Sequence, residues 1–271
     1  MIRSRRSGSS RRDSAWAWNV VPPVLLLAAL LAGWQWYVTT HDVLPQILPT
    51  PGRILIQGWS FRGDIWTNTV PTLIETGVGF IVSLAFAFAV AVAMDFWSAV
   101  RRSVYPLLVV SQTLPIIAIA PLLIIWFGFG LLPKVLVVAL VTFFPVTVSL
   151  VEGFASTDPE ATDLLRSMGA SRWRTFRLLR LPGALPQFFA GLRIAITYAV
   201  VGAVFAEYVG AENGLGIYLQ EQKNAARTDL VLASVAVIAV LSLTLFALTY
   251  LVQQLVIPWY RLSRRASEAE T

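Results

Sequence analysis

The sequence contains no cysteine and a single histidine, His41. Disulfides, thiolate metal sites and cysteine nucleophiles are therefore unavailable, and a multi-histidine metal centre is excluded. Charge is also scarce. Only 13% of the 271 residues are Asp, Glu, Lys or Arg, where a soluble domain carries about 25%. With 56% hydrophobic residues and a mean hydropathy of +0.69, the chain lacks the polar surface a water-exposed protein needs. A soluble enzyme, a disordered protein and a coiled coil are disfavoured on these grounds. No G-x4-G-K-[ST] nucleotide loop occurs, and the only lysines, Lys134 and Lys223, do not follow a glycine-rich loop. The expectation is a chain without catalytic residue, cofactor or metal.

What is present is a series of long apolar runs. Val20–Val38 has no charge, Leu73–Met94 carries one ionisable group (Glu75), and Ser103–Pro133 has none. After Lys134 come Val135–Val151, then Pro186–Gly210 with Arg193 and Glu207, then Val231–Leu251. A hydrocarbon core of about 30 Å needs roughly 20 helical residues. The runs predict an all-α membrane protein with six transmembrane helices at about 18–38, 72–95, 104–127, 135–153, 186–209 and 230–256. The first helix is read as retained, because an aromatic cluster, Trp34, Trp36 and Tyr37, stands where a signal peptide would have its small-residue cleavage site.

The basic residues orient the bundle. With the N-terminus inside, Arg3, Arg5, Arg6, Arg11, Arg12, Arg101, Arg102, Arg166, Arg172, Arg174, Arg177, Arg180, Arg261, Arg264 and Arg265 are cytoplasmic. Arg53, Arg62, Lys134, Lys223 and Arg227 are outside, and Arg193 sits at a helix start. Fifteen against five selects N-in and C-in. The basic pI near 10.1 is then a matter of topology, and no nucleic acid is required. Residues 1–17 form a basic cytoplasmic tail, 18–260 the membrane domain and 261–271 a second tail. The outer loop 39–70 holds Pro45, Pro49, Pro51 and Gly52, so irregular chain or short surface helices are expected.

One inner loop, 155–185 at its core, is unusually long. Thr157 or Asp158 caps a helix start, with Pro159 at its first position and Glu160 in its first turn. Leu164, Leu165 and Met168 make an apolar stripe, Gly169 ends the helix, and a second helix over Ser171–Leu181 is stopped by Pro182. Two readings fit: a basic segment lying on anionic lipid, or a helix–turn–helix docking surface for a cytoplasmic partner.

This loop resembles the EAA-x3-G-x9-I-x-LP signature of permease subunits of bacterial ABC importers, with Gly169 as its anchor. Leu179 stands in the Ile place, Leu181-Pro182 supplies LP, and Asp163-Leu164-Leu165 stands where Glu-Ala-Ala is usual. Ile117–Val135, Phe143–Gly153 and Ala206–Leu219 resemble the branch that imports sulfonates, taurine, nitrate and vitamin precursors. Asp163–Trp173 and Gly191–Ala211 look most like permeases for the thiamine pyrimidine precursor (hydroxymethylpyrimidine) or riboflavin. The resemblance implies a cytoplasmic coupling helix between spans 4 and 5, seated in a cleft of an ATP-binding subunit. Asp163 would cap or pair there, Leu164, Leu165 and Met168 would bury in the cleft, and Gly169 would turn the chain where a side chain clashes. Leu179, Leu181 and Pro182 would join the element to the fifth span. It further implies an extracytoplasmic solute-binding protein, a permease homodimer and a bacterial inner-membrane location. The imported solute would be the pyrimidine or riboflavin, or alternatively sulfonate, taurine or nitrate. A stand-alone secondary transporter or channel is the reading from another class, and it would want more intramembrane carboxylates.

Gln112, Thr113, Phe143, Tyr198 and Glu207 are candidates for the translocation path. Gln112 and Tyr198 suit interhelical hydrogen bonding equally well, Phe143 plain packing, and Glu207 a cap or pair at the glycine-rich outer loop. The spacing of Gly77, Gly79 and Ala85 suits close helix packing.

Overall fold

The computed structural model describes residues 10–111, 113 and 115–258, with side chains from residue 21 onward except those of 116 and 117. Helix is the only regular structure among the described residues. This follows from the composition: in hydrocarbon a backbone must satisfy its own hydrogen bonds, and a helix does so within one segment. The elements are α1 (Ser10–Thr40), α2 (Pro51–Ser60), α3 (Arg62–Phe96), α4 (Ser98–Ser111), α5 (Ile116–Phe127) and α6 (Leu131–Ala155). There follow α7 (Pro159–Ser167), α8 (Arg172–Thr175), a π-helical turn (Phe176–Arg180), α9 (Leu181–Val209), α10 (Leu215–Asn224) and α11 (Thr228–Val256). Among the described residues, five stretches are long and apolar enough to cross a membrane: Val21–Thr40, Arg62–Phe96, Leu131–Ala155, Arg172–Val209 and Thr228–Val256.

Two expectations are corrected by proline. The run expected as one helix over 104–127 is two, α4 ending at Ser111 and α5 beginning at Ile116. Pro115 is the N-cap of α5, with φ −71° and ψ 105°, because a proline has no N–H to donate to a preceding turn. Pro182, by contrast, stops nothing. The π-helical turn at Phe176–Arg180 leads straight into α9, so that Arg172–Val209 runs as one helical stretch. The wider π turn lets the N–H of Leu181 reach Phe176 O, and Pro182 falls at the start of α9 where a missing N–H costs least. The helices otherwise overrun the expected spans: α3 begins at Arg62, ten residues before 72, and α4 at Ser98 takes up most of the gap between the expected spans 72–95 and 104–127.

The described residues form two compact units, those up to 62 with 222–233 and those of 63–221 with 234 onward. In the first, Thr50 caps α2 by accepting from Arg53 N at 3.2 Å, and Pro51 follows at the first position. Arg53 bonds Asp229 at 3.1 Å, and Arg227 bonds Gln57 at 3.1 Å while its guanidinium lies 4.3 Å from the Phe61 ring centre.

The second unit is built on the packing of α6 against α9. Val146, Leu150, Val151 and Phe154 of α6 meet Ala184, Phe189, Leu192 and Ala195 of α9, and Ala87, Ala91 and Met94 of α3 join them. Small residues set the spacing. A Cβ on Gly153 would lie 2.8 Å from Ala184 Cβ, and one on Gly79 2.6 Å from Val138 Cβ. Of the three small residues singled out along α3, only Gly79 is in the contact; Gly77 has open space and Ala85 is exposed. The packed face of α3 is Thr72, Thr76, Gly79, Ser83, Ala87 and Ala91 instead.

Gly153→Leu should therefore force α6 and α9 apart and destabilise the bundle by about 1–3 kcal/mol, the usual cost of overpacking. Thermal unfolding of the detergent-purified protein should show a lowered midpoint for Gly153→Leu and an unchanged one for Gly77→Leu.

Candidate coupling surface and buried polar network

The long loop leaves α6 at Ala155 and re-enters the bundle at α9, so both of its ends are fixed by the same helix pair. Asp158 caps α7, its Oδ1 accepting from Glu160 N at 2.9 Å, and Pro159 opens the helix. The helix closes in a Schellman arrangement: Gly169 N donates to Arg166 O at 2.9 Å and Ala170 N to Leu165 O at 3.0 Å. Gly169 has φ +80°, the left-handed region that glycine enters without strain. A Cβ there would meet nothing within 4 Å. Within this chain the requirement for glycine is thus backbone conformation, and the expected side-chain clash is absent.

Leu164 is 62% and Met168 74% exposed, so the apolar stripe of α7 is turned away from its own chain. Leu165 is half-buried. Asp163 is exposed and lies 3.6 Å from Arg166. Leu179, Leu181 and Pro182 are half-buried where the loop joins α9.

The sequence reading missed how this loop is held. Arg180 Nη1 donates to Asp95 Oδ1 at 2.5 Å, and Arg172 Nη2 donates to Phe96 O at 3.0 Å. Phe176, 2% exposed, packs its ring 5.4 Å from Phe96, 5.3 Å from Phe154 and 5.6 Å from Trp173, all centre to centre. Asp95, an acid at the end of an apolar run, was the available signal. α7 is therefore a short capped helix with an apolar tip, on a base clamped to α3 and α6 by one ion pair and an aromatic cluster.

The opposite end of α6 and α9 holds a different arrangement. Lys134, expected in a loop, is a buried residue of α6, and its ammonium donates to Glu75 Oε1 of α3 at 2.6 Å. Glu207 of α9 is fully buried. Its Oε1 accepts from Thr72 Oγ1 at 2.6 Å and its Oε2 from Gly216 N at 2.7 Å. Thr72 Oγ1 in turn accepts from Leu215 N at 3.0 Å, and Asn68 Oδ1 from Gly214 N at 3.0 Å. Gly214 has φ +134°, and a Cβ there would fall on the Glu207 carboxylate. A buried carboxylate needs such donors, because an unpaired charge in this medium is costly. The network fastens the 214–216 turn and α10 to α3 and α9.

The remaining path candidates are dispersed. Tyr198 is 53% exposed on α9. Phe143 is half-buried on α6, with its ring centre 5.2 Å from Phe86 and 5.1 Å from Phe144. Thr113 is exposed and donates to Val110 O at 2.7 Å, and Gln112 lies outside the described residues. Arg193 donates to Gln253 of α11 at 2.5 Å. No group of three or more His, Cys, Asp or Glu able to hold a metal occurs among the described residues.

Removing Lys134 alone should leave the buried Glu75 carboxyl without its hydrogen-bond partner. We expect Lys134→Met to destabilise by about 3–5 kcal/mol, and the double change Glu75→Gln with Lys134→Met to recover much of that loss. Thermal midpoints of the single and double variants measure the difference.

Comparison with known proteins agrees with this architecture. Residues 79–262 match the family described as binding-protein-dependent transport system inner membrane component. The chain is 33% identical over 245 residues to the formylaminopyrimidine transport permease protein ThiX of Halalkalibacterium halodurans, covering 90% of this chain and 97% of that protein. It is 33% identical to the riboflavin transport system permease protein RibX of Chloroflexus aurantiacus over 94% of this chain and 96% of that one. It is 31% identical to the taurine transport system permease protein TauC of Escherichia coli K12, with 92% and 94% covered. The fold is that of a crystal structure of an amino acid ABC transporter, with a TM-score of 0.62 at 15% identity over 73% of this chain and 97% of that chain. The chain belongs to the binding-protein-dependent transport system inner membrane component family, and is a multi-pass permease subunit of an ABC transporter of the inner membrane.

Proposed function

We propose that this chain is the membrane path of an ATP-driven importer whose energy enters through α7. The observation that carries this is the exposed pair Leu164 and Met168 on a capped helix whose base is clamped by Arg180 to Asp95. An apolar tip on a rigid base suits insertion into a cleft on an ATP-binding partner, and the stretch Arg172–Val209 gives the push a direct route along α9. ATP hydrolysis belongs to that partner, and this chain supplies no catalytic residue, cofactor or metal site. The orientation is N-in and C-in with six crossings, α4 and α5 together making the third, so the α7 end faces the cytoplasm and the Glu75–Lys134–Glu207 end faces outward.

Two copies complete the path. Ile194, Tyr198 and Val201 are 54%, 53% and 55% exposed at i, i+4 and i+7 of α9, an aromatic-bearing stripe with no cover in the single chain. An extracytoplasmic binding protein delivers the solute to the outer end. The favoured solute is a thiamine pyrimidine precursor or riboflavin. Support comes from the neutral, aromatic character of Phe143 and Tyr198, able to stack on a flat ring, and from the full-length likeness to permeases named for formylaminopyrimidine and riboflavin. The likeness to a taurine permease supports taurine, sulfonate or nitrate as the second reading. A stand-alone channel or secondary transporter gives α7 no role.

Gly169→Val should strain the turn by about 1–3 kcal/mol, which corresponds to a roughly 5- to 150-fold loss of partner affinity if the turn must form to dock. Co-purification with the ATP-binding subunit and ATP-driven uptake should both fall, with membrane insertion unchanged. Normal coupled uptake in Gly169→Val would remove α7 from the mechanism. In the reconstituted wild-type complex, labelled pyrimidine or riboflavin should accumulate, and accumulation of taurine alone would overturn the preferred solute.

A further inference from the structure

Beside the clamp at the base of α7 lies a recess of about 410 Å³, lined by Asp95, Trp97, Ser98, Arg101, Arg172 and Arg180. A smaller recess shares Asp95, Phe96, Arg172 and Arg180 and adds Arg166 and Thr175. Four arginines thus border the two recesses against one lining carboxylate, and that carboxylate is held by Arg180 at 2.5 Å. Arg166 has a loose, exposed contact with Asp163 at 3.6 Å. Arg172 gives one N–H to Phe96 O and lies 5.8 Å from the Phe96 ring centre. Arg101 has no side-chain hydrogen bond or ion pair among the described residues. An independent feature points the same way. Thr175 is 4% exposed, and its hydroxyl, buried at the edge of the smaller recess, has no hydrogen-bond partner. Buried hydroxyls are normally satisfied, so this one is a donor in search of an acceptor.

A concave site with surplus guanidinium forks and an unused hydroxyl matches an anion with several oxygens, and a phosphate group fits best. Its level along the molecule selects the source. Trp97, 61% exposed, follows directly on the end of the apolar helix α3, the depth at which indoles mark the headgroup layer. We propose that this recess binds the phosphate of an anionic phospholipid headgroup at the inner leaflet. The bound lipid bridges α3 to α8 and α7, so it stiffens the base from which Leu164 and Met168 project and raises coupling efficiency. The placement at the inner leaflet rests on the orientation proposed above; the binding itself does not require an ATP-binding subunit.

The test uses the full chain in nanodiscs of phosphatidylcholine, with and without phosphatidylglycerol, and follows retention of spin-labelled phosphatidylglycerol. Wild type should retain the anionic lipid over the neutral one. Arg101→Gln, which breaks no contact, should reduce retention several-fold, and Arg101→Gln with Arg172→Gln by roughly tenfold or more. Thr175→Val should also weaken it, while Arg177→Gln, an equal charge loss on the same loop outside the recess, should not. Equal retention by wild type and the double variant overturns the proposal, as does an equal loss in Arg177→Gln, which would mean a diffuse charge effect. Inorganic phosphate raising the thermal midpoint in phosphatidylcholine alone, without preference for the anionic lipid, assigns the recess to a soluble phosphate and overturns the lipid assignment. A chain that co-purifies with its ATP-binding subunit yet fails the lipid test defeats this inference and leaves the transport reading intact.

Discussion

The close approach of α6 and α9 is the constraint on which the rest of this chain depends. Gly153 against Ala184 and Gly191 against Ser149 bring the two backbones nearer than larger residues would permit, and Gly79 against Val138 does the same for α3 and α6. In a bilayer there is no hydrophobic effect between apolar helices, so dispersion at such contacts must supply much of the association. The pair is antiparallel, joined by the α7–α8 loop, and each end of it carries one of the two polar assemblies.

Those ends solve opposite problems. At one, the charges are shut inside. Lys134 bonds Glu75, and Glu207 accepts from Thr72 and the 214–216 turn, so what they produce is a segment held in place. At the other, the groups are arranged around an opening. One ion pair and a ring cluster hold the base, while the apolar tip, the arginines and the Thr175 hydroxyl stay available to something else. Buried charge fixes geometry when it is paired across helices, and a surface with spare donors offers binding. A transport subunit needs both, a rigid body and a surface through which a partner can move it.

The loop between α6 and α9 was largely legible because its signals are local. Asp158, Pro159 and Gly169 each act through their own turn, and the cap, first position and left-handed turn are all where the residues imply. Proline was harder to read. Pro115 breaks a helix and Pro182 does not, and the difference is the π turn before Pro182, which no residue type announces. Lys134 was misplaced for a related reason. A lone lysine between apolar runs looks like a loop residue, and only its partner, 59 positions earlier in sequence, makes burial affordable. Likewise Gly77 and Gly79 are equivalent in sequence, yet one faces Val138 and the other open space.

The sequence alone determined that this is a helical membrane protein with a long, capped loop between two of its helices, because apolar run length, charge scarcity and capping residues act within one segment of chain. It also carried the family resemblance, through residues spaced along that loop. The tertiary structure decided which polar residues meet. Glu75 with Lys134, Glu207 with Thr72 and Gly216, and Arg180 with Asp95 are joined across different helices, at distances set by backbone packing. In a medium of low dielectric, the pairing of such groups separates a buried liability from a structural clamp, and pairing is a property of three-dimensional contact alone.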